Sequence, residues 1–476
     1  MGTRRQFMGA LLKSFAGFVY SRSANAYKDT SATITMRLGD SAPVPVPANF
    51  TGLGYEMSSV APTGLLSASN RRYVELIRGL GPAGVIRVGG IVADYTRYEP
   101  EGTISAEREN TVITRESVEQ FAEFLRKIGW TALWSLNFAQ GSIRDAVEEA
   151  EAVSSILGDR LLALEIGNEV ENYYRGKKPF RKAPYDYETY RKEYSDWRAA
   201  ILKAAPRVSF AAPDTASSVA WVERMAEDAN GDVQLLTTHY YRNNQSRGSA
   251  DQLLAPDAHL KEVLTRLGTA SRQSGIPWRM CETNSFSGGG LPGVSDTFAG
   301  ALWTLDFMLL LAEYGCAGVN IETGVNQLGF ISSYSPIQDD GKGTNTAGIP
   351  YYGMLAFRQA MAGCSEVLPA SIDIGGFNVT AYVLGHQGKP RSVVVVNRDI
   401  RDLNISIREL GFSDVSGLRM LAPAPDSNTE VTLGGAAVDQ DGQWRSASEE
   451  RFSKQVVAVP KMSAAVLRSA HRLGRS

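Results

Sequence analysis

A (β/α)8 barrel followed by a β-sandwich is the fold this sequence predicts, and three observations predict it. Eight short apolar runs alternate with eight amphipathic stretches between residues 51 and 362, the rhythm of an α/β barrel. After residue 365 the spacing tightens to short alternating strands parted by turn-rich pieces such as PAPDSN and QDGQ, which reads as a sandwich. Two of the eight runs deliver a glutamate, Glu169 and Glu282, at the strand end where a barrel of this kind gathers its active site.

Composition narrows the possibilities. The chain has 476 residues, 43% apolar and 9% aromatic, enough for a large core and more than one domain. Its 49 basic and 51 acidic residues leave a formal charge of −2, so no net field favours nucleic acid or an anionic membrane, and neither is expected as a partner. Cys281, Cys316 and Cys364 cannot all pair within one chain and lack metal-ligand spacing. They read as buried thiols, with Cys281 expected to face away from its neighbour Glu282. His239, His259, His386 and His471 are too scattered to suggest a zinc cluster, so neither metal nor cofactor is expected.

Taken in order, residues 1–26 read as an export signal. Thr3-Arg4-Arg5-Gln6-Phe7 is of twin-arginine form, an apolar run follows to Tyr20, and Ala24-Asn25-Ala26 has the A-x-A form of a cleavage site. The expected location is therefore periplasmic or extracellular. Residues 27–47 hold an isolated strand at 31–36 and a Pro-rich linker, SAPVPVPANF; with no partner in the barrel, that strand is expected to join the sandwich. The barrel is assigned to 48–364 and the sandwich to 365–470. No run is long enough to cross a membrane; ALWTLDFMLLLA at 301–312 is too short and contains Asp306.

The expected barrel strands are 51–56, 84–90, 131–137, 163–169, 209–214, 235–241, 278–284 and 317–323. Helical patterns lie near 70–80, 116–128, 142–156, 187–204, 217–229, 257–273, 297–314 and 352–362. The clearest places Tyr187, Tyr190, Tyr194, Trp197 and Ile201 on one face, a core face by its spacing. Sandwich strands are expected near 378–384, 392–398, 403–408, 418–422, 431–435, 455–460 and 463–469.

The chemistry follows from the two glutamates. Strands four and seven stand across the barrel mouth from one another, a span that suits two carboxyls about 5 to 5.5 Å apart around a sugar, as a retaining glycoside hydrolase requires. Gly288 to Gly293, GGGLPG, formally matches the dinucleotide fingerprint, but it lies late in the chain and Pro292 interrupts it. It reads instead as a backbone-rich wall of the site.

Asn168-Glu169 and Glu282, within GNEVENYY, THYY, MCETNSFSGGGLPGVSDTFAGALWTLDFM and GCAGVN, resemble glycoside hydrolase family 79, the heparanase and β-glucuronidase family, over about residues 30–465. The resemblance implies a retaining, exo-acting β-glycosidase for β-linked glucuronic acid, acting on a glucuronide-containing saccharide or glycoconjugate. By position it implies Glu169 as acid and base, Glu282 as nucleophile and Asn168 on the 2-hydroxyl. It also implies Glu56 on the distal hydroxyls and Tyr240 near the nucleophile, with Tyr241 the competing choice, and His239 as a structural neighbour. Tyr334 and the amides of Gly288 and Gly289 would meet the uronate carboxylate. Ser287 stands where the family carries a tyrosine, and Ile91 where relatives place a polar side chain. A modified uronic acid, a neutral sugar, or a non-catalytic carbohydrate-binding barrel therefore stand as alternatives. Arg242 and Arg247, after strand six, are the candidate cations near the site.

Overall fold

The computed structural model describes residues 33–229, 231–325, 332–340, 342–412, 415–452 and 455–469; the export signal expected at 1–26 lies outside them. Eight parallel strands close into a barrel. In chain order they are Thr51–Glu56, Val85–Gly89, Thr131–Leu136, Leu161–Ile166, Phe210–Thr215, Leu235–Asn244, Trp278–Ser287 and Val319–Glu322. All eight expected strands are present. Their runs are apolar on both faces because one side fills the barrel and the other meets the helices.

The helices follow from caps and periodicity. Thr114 and Ser142 close capping boxes on Arg115–Ile128 and Ile143–Leu157, and Asp257 caps Ala258–Ser274. Gly129 and Gly275 end their helices in the left-handed region that glycine adopts without strain. Helix Tyr187–Ala204 buries Tyr187, Tyr190, Tyr194, Trp197 and Ile201, the face its spacing marks as core.

Several elements escape the sequence reading. A three-stranded sheet, Arg97–Tyr98, Ser105–Glu107 and Asn110–Ile113, follows the second barrel strand and rises beside the barrel mouth. Its strands are too short for periodicity to register. The Pro-rich segment is more than a linker, since Val44–Pro45 pairs with Glu366–Leu368 at the sheet edge, where proline's missing N–H is harmless. The seventh strand continues to Ser287, beyond the Asn284 end expected for it, because the sixth also lengthens, to Asn244, and the two pair throughout.

The sandwich packs a four-stranded sheet on a larger antiparallel one. Thr33–Leu38 runs between Ala370–Ile372 and Leu403–Ser406 in the smaller sheet, so the N-terminal strand does join the sandwich. Ile34, Met36, Val393, Val395, Ile405 and Val457 fill the space between the sheets. Helix Phe298–Glu313 explains the apolar run at 301–312: barrel and sandwich bury it on all sides. Asp306 is the polar tie across that seam, accepting from Tyr382 at 2.8 Å, Arg398 at 2.6 Å and Thr380. No helix among the described residues is long and apolar enough to cross a membrane.

Candidate active site

Arg87 sits at the centre of the barrel mouth, on the second strand and wholly buried. A buried guanidinium must be paired on all sides. Its Nε donates to Glu165 Oε2 at 3.0 Å and Nη1 to Glu282 Oε2 at 2.8 Å. Nη2 donates to both Asn168 Oδ1 at 2.8 Å and Asp214 Oδ2 at 2.7 Å. Strands four, five and seven are thereby tied to strand two by a single side chain. Burial works against the charge, but Asp214, Glu165 and Glu282 outweigh it and hold Arg87 well above its usual range.

The carboxyls around it diverge. Burial, reinforced by Asp214, pushes Glu165 up to about 7, and Ser135 Oγ donates to it at 2.7 Å. Burial also opposes the charge of Asp214, yet Arg87 and His239 prevail and hold it below the carboxylate range. His239 places Nε2 3.0 Å from Asp214 and Nδ1 3.4 Å from Glu169 Oε1 and 3.8 Å from Glu282 Oε2. Against the cost of burial, Glu282 and Asp214 raise this imidazole well above its usual range, so it bridges the two glutamates as a cation.

Backbone conformation aims the rest. Glu169 follows the fourth strand with φ of 50°, and Asp214 in the fifth has φ of 57°; Glu169 N–H donates to the Asp214 carbonyl at 2.8 Å, binding the two strained positions together. Gly167 has φ of 95°, and a side chain there would strike Val170, Tyr173 and Phe138. On the seventh strand the register shifts on both flanks near Glu282, a bulge that turns both Cys281 and Glu282 into the barrel. The expectation that Cys281 faces away from Glu282 is thus corrected: its thiol donates to Asp214 Oδ1 at 2.8 Å. Burial, then Asp214, pushes that thiol well up, so it packs as an unreactive group.

The two candidate catalytic glutamates are held differently. Glu282 accepts from Arg87 and, at Oε1, from Tyr241 O–H at 2.9 Å, and its side chain is 12% exposed. Both its oxygens are fixed as acceptors. The Glu169 side chain is 34% exposed and, among the described residues, bonds only the His239 ring. One oxygen of each lies within 4.8 Å of the other.

These residues line a cleft of about 1080 Å³ together with Glu56, Ile91, Asn168, Ser287, Gly288, Gly289, Glu322 and Tyr334. Glu56 accepts from Val92 N–H at 3.0 Å, and burial with the charge of Glu282 pushes it to about 7. Gly288 and Gly289 adopt φ of 87° and 96°. Tyr334 stacks on Tyr241 with ring centres 6.3 Å apart.

Three expectations are corrected. Tyr240 turns outward, bonding Asp257 and stacking on Phe307, so Tyr241 is the tyrosine at Glu282; His239 and Tyr241, two residues apart on the sixth strand, share its inward face. Arg242 also turns away, bound to Asp257 and to the Gln252 carbonyl, and Arg247 does not line the cleft. Among the described residues that line the cleft, the cation is Arg108, in the turn of the small sheet. The glycine run, expected as a wall of the site rather than a phosphate loop, lines the cleft through Gly288 and Gly289, and the amides of Phe298 and Ala299 that open the next helix are bonded to Ser427 and Pro425 carbonyls.

Sequence reasoning missed Arg87, Glu165, Asp214 and Glu322. The signal was present: each is a charged residue inside an otherwise apolar strand run, which must find a partner or shift its protonation. Asp214, His239 and Cys281 also lie within 4.8 Å of one another, but Arg87 beside Asp214 opposes a metal cation there.

No protein-family model matches the chain. It is 24% identical over 403 residues to a β-glucuronidase of Aspergillus niger, covering 74% of this chain and 72% of that one. A β-glucuronidase of Neurospora crassa is 27% identical over 422 residues, covering 76% and 72%. The structure of a 4-O-α-L-rhamnosyl-β-D-glucuronidase from Fusarium oxysporum superposes with a TM-score of 0.76 at 18% identity, covering 91% of this chain and 100% of that one. The family 51 α-L-arabinofuranosidase AbfB of Bifidobacterium longum shares the fold more distantly, with a TM-score of 0.66 at 15% identity, covering 92% and 100%.

Proposed function

We propose that this chain is a β-glucuronidase-like glycoside hydrolase, akin to the β-glucuronidases of glycoside hydrolase family 79, and that it is a retaining, exo-acting enzyme for β-linked glucuronic acid. One observation carries the mechanism: carboxyl oxygens of Glu169 and Glu282 lie within 4.8 Å of each other. That leaves no room for a water beneath the sugar ring, as inversion would need with carboxyls about 6.5 to 9.5 Å apart. Glu282 therefore attacks the anomeric carbon, and the bond to the leaving oxygen breaks as Glu169 gives that oxygen its proton. Glu169 then takes a proton from water, whose oxygen displaces Glu282 and restores the β configuration. Arg87 and Tyr241 orient Glu282 for attack.

In this reading Asn168 bonds the 2-hydroxyl and Glu56 the distal hydroxyls, while Tyr334 and the Gly288 and Gly289 amides take the substrate carboxylate; their common place in the cleft lining supports it. A second reading, a substituted uronic acid, is favoured by Ser287 and Ile91, which give this part of the cleft a small and an apolar side chain. Export through the segment at 1–26 belongs to the same proposal, tested by cell fractionation. Proton NMR of the first-formed sugar, read before mutarotation, tests the mechanism: the β anomer is expected, and initial α anomer would overturn it. An aryl β-glucuronide should exceed the matching β-glucoside at least about tenfold in kcat/KM, about 1.4 kcal/mol. Parity would overturn the uronate preference alone.

A further inference from the structure

One carboxyl in the cleft has no part in the double displacement. Glu322 ends the eighth strand, lines the same cleft as Glu56 and Glu282, and is 5% exposed. Its Oε2 is buried and has no hydrogen-bond partner among the described residues. The carboxyl stands over Gly54 on strand one, where a Cβ would come within 2.5 Å of that oxygen, so the glycine opens the space the acid occupies.

Charged and titratable groups face Glu322 from all around: Tyr55 and Glu56 on strand one, Arg87 on strand two, His239 and Tyr241 on strand six, Glu282 on strand seven, and Tyr334 after strand eight. The two cations are already committed, Arg87 to Glu165, Asp214 and Glu282, and His239 to Asp214 and the catalytic pair. A buried carboxylate without a counter-ion is costly, and protonation removes that cost. Burial, then the charges of Glu282 and Glu56, raises this carboxyl well above its usual range. A uronate entering the cleft adds a further negative charge beside Glu282. Arg108 stands in the turn of the small sheet at the rim, so at the depth of Glu322 it is a neutral acid that donates, rather than an ionised one, that is compatible with this added charge.

We infer that Glu322 is a specificity-determining residue that works as a carboxylic acid, its O–H donating a hydrogen bond to the anionic end of the bound uronic acid beside Tyr334. No covalent bond changes; the proton stays on Glu322, and uronate affinity is coupled to it. This rests on the uronate preference proposed above. Glu322 supplies a donor that the apolar Ile91 cannot.

The test is the pH profile of KM for an aryl β-glucuronide and the matching β-glucoside, from about pH 5 to about pH 10, in the wild type and in Glu322→Gln. The wild-type KM for the glucuronide should rise toward about tenfold per pH unit once Glu322 ionises, while that for the glucoside stays flat. Glu322→Gln keeps a donor at every pH, so its glucuronide KM should stay low and lose that rise. Calorimetry of D-glucuronate binding, over the same pH range in buffers of different ionisation enthalpy, reads the coupling without turnover. The wild type should take up protons on binding where KM rises, and Glu322→Gln should lack that uptake. A KM rise and an uptake that survive in Glu322→Gln would overturn the inference, as would a flat glucuronide KM in the wild type. If the glucoside is cleaved while glucuronide is not and glucuronate does not bind, the uronate preference falls first and takes this role with it.

Discussion

Two arginines lie buried inside the barrel, one near each end, and their surroundings are opposite. Arg279, at the start of the seventh strand, bonds Asn320 Oδ1 at 2.6 Å and otherwise the neutral carbonyls of Asn49, Phe50, Ala317 and Val319. Gly52 and Gly318 leave the space its guanidinium fills. Burial without a counter-charge lowers it to about 10. Arg87, at the mouth, is ringed by three carboxylates and held well up. The lower arginine closes a structural layer with dipoles. The upper one organises charges that cannot be neutral together, and that is where a reacting carboxylate can be held ionised and aimed.

The largest test of this contrast is Glu282→Gln, which should cut kcat/KM on an aryl β-glucuronide by about 10⁴-fold or more while thermal melting stays close to wild type. Arg87→Met comes next. It strands Glu165, Asp214 and Glu282 around a missing cation, so denaturant unfolding should show a loss of about 3–5 kcal/mol, with kcat down about 100-fold or more. Arg279→Met leaves only carbonyls and Asn320 unpaired and should cost about 1–3 kcal/mol with kcat changed less than about twofold. Equal damage to kcat from both substitutions would break the comparison.

Smaller effects sharpen it. Tyr241→Phe removes the second donor to Glu282 and should lower kcat about 10- to 100-fold, whereas Tyr240→Phe should change it less than about threefold. Reversal of that order would return Tyr240 to the nucleophile. Glu149 is the acidic counterpart of Arg279, buried on helix Ile143–Leu157 with one neutral donor, Trp134 Nε1 at 2.8 Å. Burial pushes it from 4.5 to about 7. Its folded-state pKa is raised, so it is protonated in both states below about 4.5 and ionised in both above about 7, with stability falling as pH rises between them. Glu149→Gln should therefore add about 1–2 kcal/mol at pH near 8 and nothing at pH near 4, read by denaturant titration at the two values.

The barrel was legible because its strands and helices carry their own signals: apolar runs such as LLALEI and the aromatic face of 187–204. Glu169 and Glu282 were legible because a charge following an apolar run is conspicuous. The small sheet at 97–113 was not, since strands of two to four residues hold no periodicity. Nor was the choice between Tyr240 and Tyr241, which turns on which face of the sixth strand looks into the barrel; neighbours on a strand face opposite ways, and only contacts such as His239 with Glu169 fix the inward one.

The sequence by itself therefore determined the order of elements, the strands that carry the acids, and the membership of the N-terminal strand in the sandwich, all of which depend on patterns local to each segment. Tertiary structure alone decided which charges meet. Arg87 ties strand two to strands four, five and seven, and Glu322 acquires its isolation because Arg87 and His239, the cations that face it, are committed to other carboxyls. Protonation inside a barrel depends on distance and burial, and those quantities do not exist until the strands close.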